Sequence, residues 1–272
     1  MFCIRSWLAA ALLAIFTAQA AAATASTTTS VYLEDLTWTE LRDAIAAGKT
    51  TVIVPVGGTE QSGPHIALGK HNVRARVLAG RIAQGLGNAL VAPVIAYVPE
   101  GSIDPPAGHM RFPGTISIPE SAFESTLEAA ARSFRRAGFR DIVLIGDHGG
   151  YQTSLAKVAA KLDREWASSP VRVHAIEEYY RASDREFAAL LKKQGLSDAE
   201  IGIHAGAADT SLTLAVDAQL VRSARLSDAA AASAAEGVRG DPRRASAALG
   251  NAGVDLIVAR TRDAIAREVA RR

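Results

Sequence analysis

Residues 59–72 read TEQSGPHIALGKHN and follow the apolar run VIVPV. They place the carboxylate of Glu60 near two imidazoles, His65 and His71. Such groups bind divalent metals through oxygen and nitrogen. Spacing alone also allows an ordinary polar loop after a buried strand. Asp147-His148-Gly149-Gly150 follows a second apolar run, DIVLIG. Two glycines behind a histidine allow a ligand to approach the backbone. A helix start beyond them offers N–H groups to an anion or a developing oxyanion. The competing reading is a tight strand-to-helix turn with Asp147 as cap. No Gly-Lys-Ser/Thr follows, so this is not a phosphate-binding P-loop. In HAGAADTSLTLAV (204–216), His204 and Asp209 either face a shared cleft or belong to a helix start capped by Asp-Thr-Ser. GSIDPPAGHMRFPGTIS (101–117) carries His109 on a long Gly/Pro-rich segment, either a functional lid or a rigid connection.

Elements of an α/β pattern must position these groups. TVIVPV (51–56), ALVAPVIAYV (89–98), DIVLIG (141–146) and VRVHAI (171–176) read as strands buried on both faces. Amphipathic helices are expected at 36–47, 72–87, 121–139 and 151–167, with Ser121 as an N-cap and Gly138 as a stop, and again at 252–272. Residues 229–235 fit loop or helix. Alternation of this kind predicts an α/β layered fold with a mainly parallel sheet. Ligands then bind where strands end, so the loops after 56 and 146 are expected on the same edge.

The chain of 272 residues is 49% apolar, enough for a substantial core. Its formal net charge of +2 argues for neither nucleic acid nor a membrane surface. At the N-terminus, Arg5 precedes an apolar run from Trp7 to Phe16 and the small-x-small motif Ala18-Gln19-Ala20. This has the form of a cleaved signal peptide over 1–23, with a Ser/Thr-rich leader over 24–34 and a single domain over 35–272. The expected location is the periplasm, without a stable membrane anchor. Cys3 would leave with the signal, so any metal ligands must be His, Asp or Glu.

Taken in order, GGTEQSGPH (57–65), GHMRFPGTIS (108–117), GDHGGYQ (146–152), HAGAADTS (204–211) and GDPRRAS (240–246) resemble the motifs of the creatininase (creatinine amidohydrolase) family. The resemblance spans roughly 35–265. It implies a three-layer α/β/α sandwich, a homo-oligomer, and hydrolysis of cyclic or linear amide C–N bonds with zinc or manganese, typically two ions. Glu60 and His148 match ligand positions. Ser62 stands where the family has His, His71 where it has a bridging Asp, Asp209 where it has Glu, and Tyr151 where it has Asn. A neutral imidazole offers one lone pair, so His71 argues against a bridged ion pair. The expectation is one ion per chain on Glu60, His71 and His148, with Asp209 as a fourth ligand or a base. Asp147 and His109 are expected to assist catalysis. The substrate would be a small amide or lactam other than creatinine. Ser62 lacks a Gly-x-Ser-x-Gly elbow and is expected to be structural. The alternatives are hydrolysis of an ester or lactone, and a non-catalytic binding protein that kept the cleft.

Overall fold

The computed structural model describes residues 30–232 and 234–271. The expected signal peptide and the leader up to residue 29 lie outside the described residues. Among the described residues, four strands form one all-parallel sheet in the order β2-β1-β3-β4. They are β1 (Thr51–Val56), β2 (Ala89–Val91), β3 (Asp141–Gly146) and β4 (Arg172–Ala175). The main helices are α1 (Trp38–Ala46), α2 (Lys70–Leu86), α3 (Glu120–Ala137), α4 (Gln152–Glu165), α5 (Ala207–Val216) and α6 (Ala247–Ala270). Among the described residues no helix is long and apolar enough to cross a membrane.

Strand side chains alternate between two cores, as a period of two requires. Ile53, Val143 and Ile145 pack with Leu78 and Ile82 of α2 and Ile257 of α6. Val52, Val54, Ile142 and Leu144 pack with Phe123 of α3 and Leu155 of α4. Both faces are therefore covered, which is why β1 and β3 are apolar without alternation. The expected three layers are present.

Several boundaries differ from expectation. The run 89–98 is a strand only to Val91, because Pro93 cannot donate to a ladder. Ile95 then regains one bond, its N–H to the Pro55 carbonyl at 3.0 Å. Helix α3 starts at Glu120 after Pro119, with no side-chain cap, so Ser121 lies inside the helix; Gly138 does stop it, at φ 110°. Helix α6 starts at Ala247, where Ser246 caps Leu249 N–H. Residues 229–231 end a short helix begun at Leu226. The shift that matters for function is α2. It begins at Lys70 rather than Asn72, so Lys70, His71 and Arg74 share one helical face.

Candidate active site

Strands β1 and β3 are paired to their ends, Val56 opposite Gly146. The loops that follow them therefore open on one sheet edge, as expected. Tyr151 clamps the two strand ends. Its hydroxyl accepts the N–H groups of Asp147 and His148 at 3.1 and 3.0 Å and lies 2.6 Å from the Gly57 carbonyl. Tyr151→Phe will cost about 1–3 kcal/mol, because buried backbone groups lose their partner; the urea midpoint measures it. Gly58 adopts φ 150°, and a Cβ there would sit 2.7 Å from Glu100 Oε1. That glycine lets Glu100 approach the loop of Glu60.

Glu60 lies at the centre of four imidazoles and is fully buried. Its Oε1 accepts from His71 Nε2 at 2.8 Å and faces Lys70 Nζ at 3.5 Å. Its Oε2 has no hydrogen-bond partner and faces His109 Nε2 at 3.1 Å and His148 Nε2 at 3.7 Å. Burial alone would raise its pKa, but Lys70 and the His71 hydrogen bond hold it well below the usual carboxylate range.

His71 also meets Asp147, Nδ1 to Oδ2 at 2.5 Å. Burial and Lys70 oppose protonation of His71, yet its bonds to Asp147 and Glu60 raise the pKa on balance. With a carboxylate at each nitrogen, His71 is engaged by oxygen partners on both sides, which disfavours it as a metal ligand. Asp147 in addition accepts from Arg74 Nε at 2.8 Å and from Tyr179 Oη at 2.7 Å. Asp209 accepts from Lys70 Nζ at 3.0 Å, from Ala205 N–H at 2.9 Å and from Arg74 Nη1 at 3.3 Å. Three carboxylates, Glu60, Asp147 and Asp209, are thus balanced by Lys70, His71 and Arg74. Cations at a helix N-terminus oppose its dipole; these acids offset that cost.

Glu100 falls outside this balance. It is 5% exposed, and among the described residues no donor reaches either carboxylate oxygen. Burial, reinforced by Glu60, pushes its pKa up to about 8. Beside it stands His148, whose Nδ1 lies 3.6 Å from Glu100 Oε2. Burial pushes His148 down to about 4, so the ring is neutral. Glu60, Glu100 and His148 each offer a ligand atom within 4.8 Å of the others. Orphaned buried carboxylate oxygens next to a neutral imidazole suit zinc or manganese.

Glu60, His109 and His204 form a second such group. Their tautomers follow from Gln61. Its Oε1 accepts from Gly63 N–H at 3.0 Å, so Nε2 is the donor to His109 Nδ1 at 3.0 Å. The His109 proton then sits on Nε2, 3.1 Å from Glu60 Oε2 but outside hydrogen-bond geometry, and is available as a donor. His204 Nε2 donates to the Gln61 carbonyl at 2.9 Å. Burial holds His109 below its ordinary pKa and His204 at about 4.

Of these groups, Glu60, His71, His109, His148, His204 and Asp209 line a cavity of about 590 Å³, and Glu100 lies behind them, outside its lining. A model described as Creatininase: Creatinine amidohydrolase matches residues 34–265. The chain belongs to the creatininase family. This creatininase-family chain is 29% identical over 204 residues to the creatinine amidohydrolase of Pseudomonas putida, covering 73% of this chain and 76% of that one. It is 39% identical over 119 residues to the mycofactocin precursor peptide peptidase of Mycolicibacterium smegmatis, covering 42% of this chain and only 45% of the peptidase. Among solved structures, a mutant creatininase of Zn-Zn type gives a TM-score of 0.71 at 27% identity, covering 89% of this chain and 99% of that one. A manganese creatininase gives 0.71 at 27%, covering 88% and 99%.

The structure brings Glu60, His71, Asp147, His148 and His109 into one site, as the sequence suggested. Two expectations change. His71 and Asp209 lie outside both metal-capable groups, because each is saturated by buried partners of opposite charge. Asp147 is held by Arg74, His71 and Tyr179 and has no capacity left as a base. The expected backbone anion site is also taken: Gly150 N–H donates to the one lone pair of neutral His148, at Nδ1 and 3.2 Å, a contact that an ion on His148 must displace, and a Cβ on Gly149 would meet Tyr180 Oη at 2.6 Å. His65 is buried against Thr210 at 3.0 Å, and Ser62 donates to the Gln61 carbonyl at 2.8 Å. Glu100, Lys70 and Arg74 were missed. Glu100 directly precedes the Gly/Pro-rich segment already singled out, and a helix start at Lys70 would have revealed the other two.

Proposed function

We propose that this creatininase-family chain is a metal-dependent hydrolase of a cyclic or linear amide C–N bond, with a substrate other than creatinine. The observation that carries this reading is the pair of buried carboxylates with unpartnered oxygens, Glu60 and Glu100, beside neutral His148. These three would hold the ion, with zinc or manganese suggested by the relatives. The chemistry such an ion supplies is Lewis acidity, which polarises a carbonyl and activates water at neutral pH.

The chain's own residues do the rest. His71, clamped by Asp147, fixes Glu60. Lys70 and Arg74 hold Asp209 and keep the floor of the site rigid. His109 directs its Nε2–H into the cavity, where it can donate to the substrate oxygen as negative charge develops. Charge balance favours one ion. Glu60, Asp147 and Asp209 already face Lys70, His71 and Arg74, so a second divalent cation would find little unmatched negative charge. On the N-terminal sequence pattern we also propose export to the periplasm, and on the family resemblance assembly as a homo-oligomer.

Metal content by mass spectrometry tests the core of the proposal, together with an amide and lactam screen before and after chelation. The expected result is about one zinc or manganese per chain and amide cleavage that chelation removes and reloading restores. Two ions per chain would overturn the charge-balance argument. No specific metal, even after reloading, would leave a binding protein.

A further inference from the structure

Most of the charged residues lining the cavity fall into two sets; the exposed Asp184, 3.9 Å from Arg185, belongs to neither. Inside, Glu60, Asp147 and Asp209 are matched by Lys70, His71 and Arg74, as described. At the mouth, Arg111 and Arg239 are exposed, and among the described residues neither guanidinium has an ion pair or hydrogen bond. Their placement is not scattered. Arg111 belongs to the 3-10 turn Gly108–Arg111 that also carries His109. Arg239 is tied by its backbone to the strand-like stretch of His204: Arg239 N–H donates to the His204 carbonyl at 2.9 Å, and Ile203 N–H donates to the Arg239 carbonyl at 2.8 Å. The rings of His109 and His204 lie 4.5 Å apart. Both arginines therefore emerge beside the same imidazole pair. Apolar Phe112 and the 80% exposed Ile203 also line the cavity.

Resting on the hydrolase reading above, we propose that the substrate is an amide bearing a carboxylate, and that Arg111 and Arg239 hold this carboxylate at the mouth of the cavity. Guanidinium groups match carboxylates through paired N–H bonds. Interior cations cannot serve, because their carboxylate partners already occupy them. Hydrolysis adds water across the C–N bond to give an acid and an amine, and the bound carboxylate is unchanged. An apolar group next to it would lie against Phe112 and Ile203.

The test compares N-benzoylglycine with N-propylbenzamide, which has similar shape and no charge. Binding to the metal-loaded full chain is measured by calorimetry for wild type, Arg111→Gln, Arg239→Gln and the double variant. Both substitutions are at exposed positions, and thermal melting checks that the fold is intact. The expected result is that wild type prefers the charged probe by about tenfold or more, as charge-assisted hydrogen bonds imply. The preference is expected to fall to about twofold or less in the double variant. Equal binding of the two probes, binding of neither, or a preference that survives in the double variant would overturn the proposal. The last outcome would place the carboxylate on the metal instead. Cleavage of neutral amides without arginine dependence would overturn the carboxylate subsite and leave the hydrolase reading standing. Arginine-dependent binding without cleavage of any amide would keep the anion subsite and sink the hydrolase reading.

Discussion

Glu100→Gln will lower the affinity for zinc or manganese and reduce amide hydrolysis by about 10³-fold, while the protein stays folded. An ion contributes several kcal/mol of transition-state stabilisation, and each 1.36 kcal/mol is tenfold in rate. Glutamine keeps the shape of the side chain but removes its charge. The buried carboxylate it replaces has no hydrogen-bond partner and burial raises its pKa. With a pKa of about 8 the metal-free side chain is already largely uncharged at neutral pH, so glutamine in its place costs the metal-free fold little. The metal-free variant is expected to melt no lower than wild type, and the loss appears only in metal binding and turnover. Glu60→Gln differs. It loses the same ligand but also strands His71 and Lys70, so metal loss is accompanied by lower stability. Isothermal titration with zinc, alongside thermal melting with and without metal, separates the two. A Glu100→Gln variant that retains wild-type metal affinity would remove Glu100 from the site.

Arg74→Ala will destabilise the fold by about 3–5 kcal/mol, the cost of leaving buried charges without their partner. Its guanidinium is 4% exposed, reaches both oxygens of Asp147 at 3.0 and 2.8 Å and extends to Asp209 at 3.3 Å. Without it, Asp147 depends on His71 and Tyr179, and Asp209 on Lys70 and Ala205. Arg74→Lys will recover part of the loss, because an ammonium is charged but cannot reproduce the planar fork. Urea denaturation followed by circular dichroism reads the shift in midpoint. A loss under about 1 kcal/mol would mean that the network is not under the strain of burial.

Both predictions concern residues that sequence reasoning placed differently or overlooked, and the reason is physical. Strands β1 and β3 were legible to the residue, because strands buried on both faces must be apolar throughout. The meeting of the Glu60 and His148 loops followed from parallel pairing and strand-end geometry. The motifs carried the family, and with it the layered fold. These features depend on local composition and on rules that hold for any parallel sheet.

The state of each polar side chain depends on something else. Whether His71 can bind a metal turns on whether either nitrogen is free. Its partners are Glu60, eleven residues before it, and Asp147, 76 residues after it. Asp209 looked like a ligand until Lys70 and Arg74, well over a hundred residues earlier, were found against it. Glu100 carried no signal of its own in the sequence, and only packing left its oxygens buried with no donor in reach among the described residues. The sequence by itself determined the layers, the edge on which the site opens, and two residues at its centre, Glu60 and His148. Tertiary structure alone decided which charges cancel and which remain for a metal or a substrate, because Coulomb energies in a desolvated site depend on distances between side chains remote in sequence.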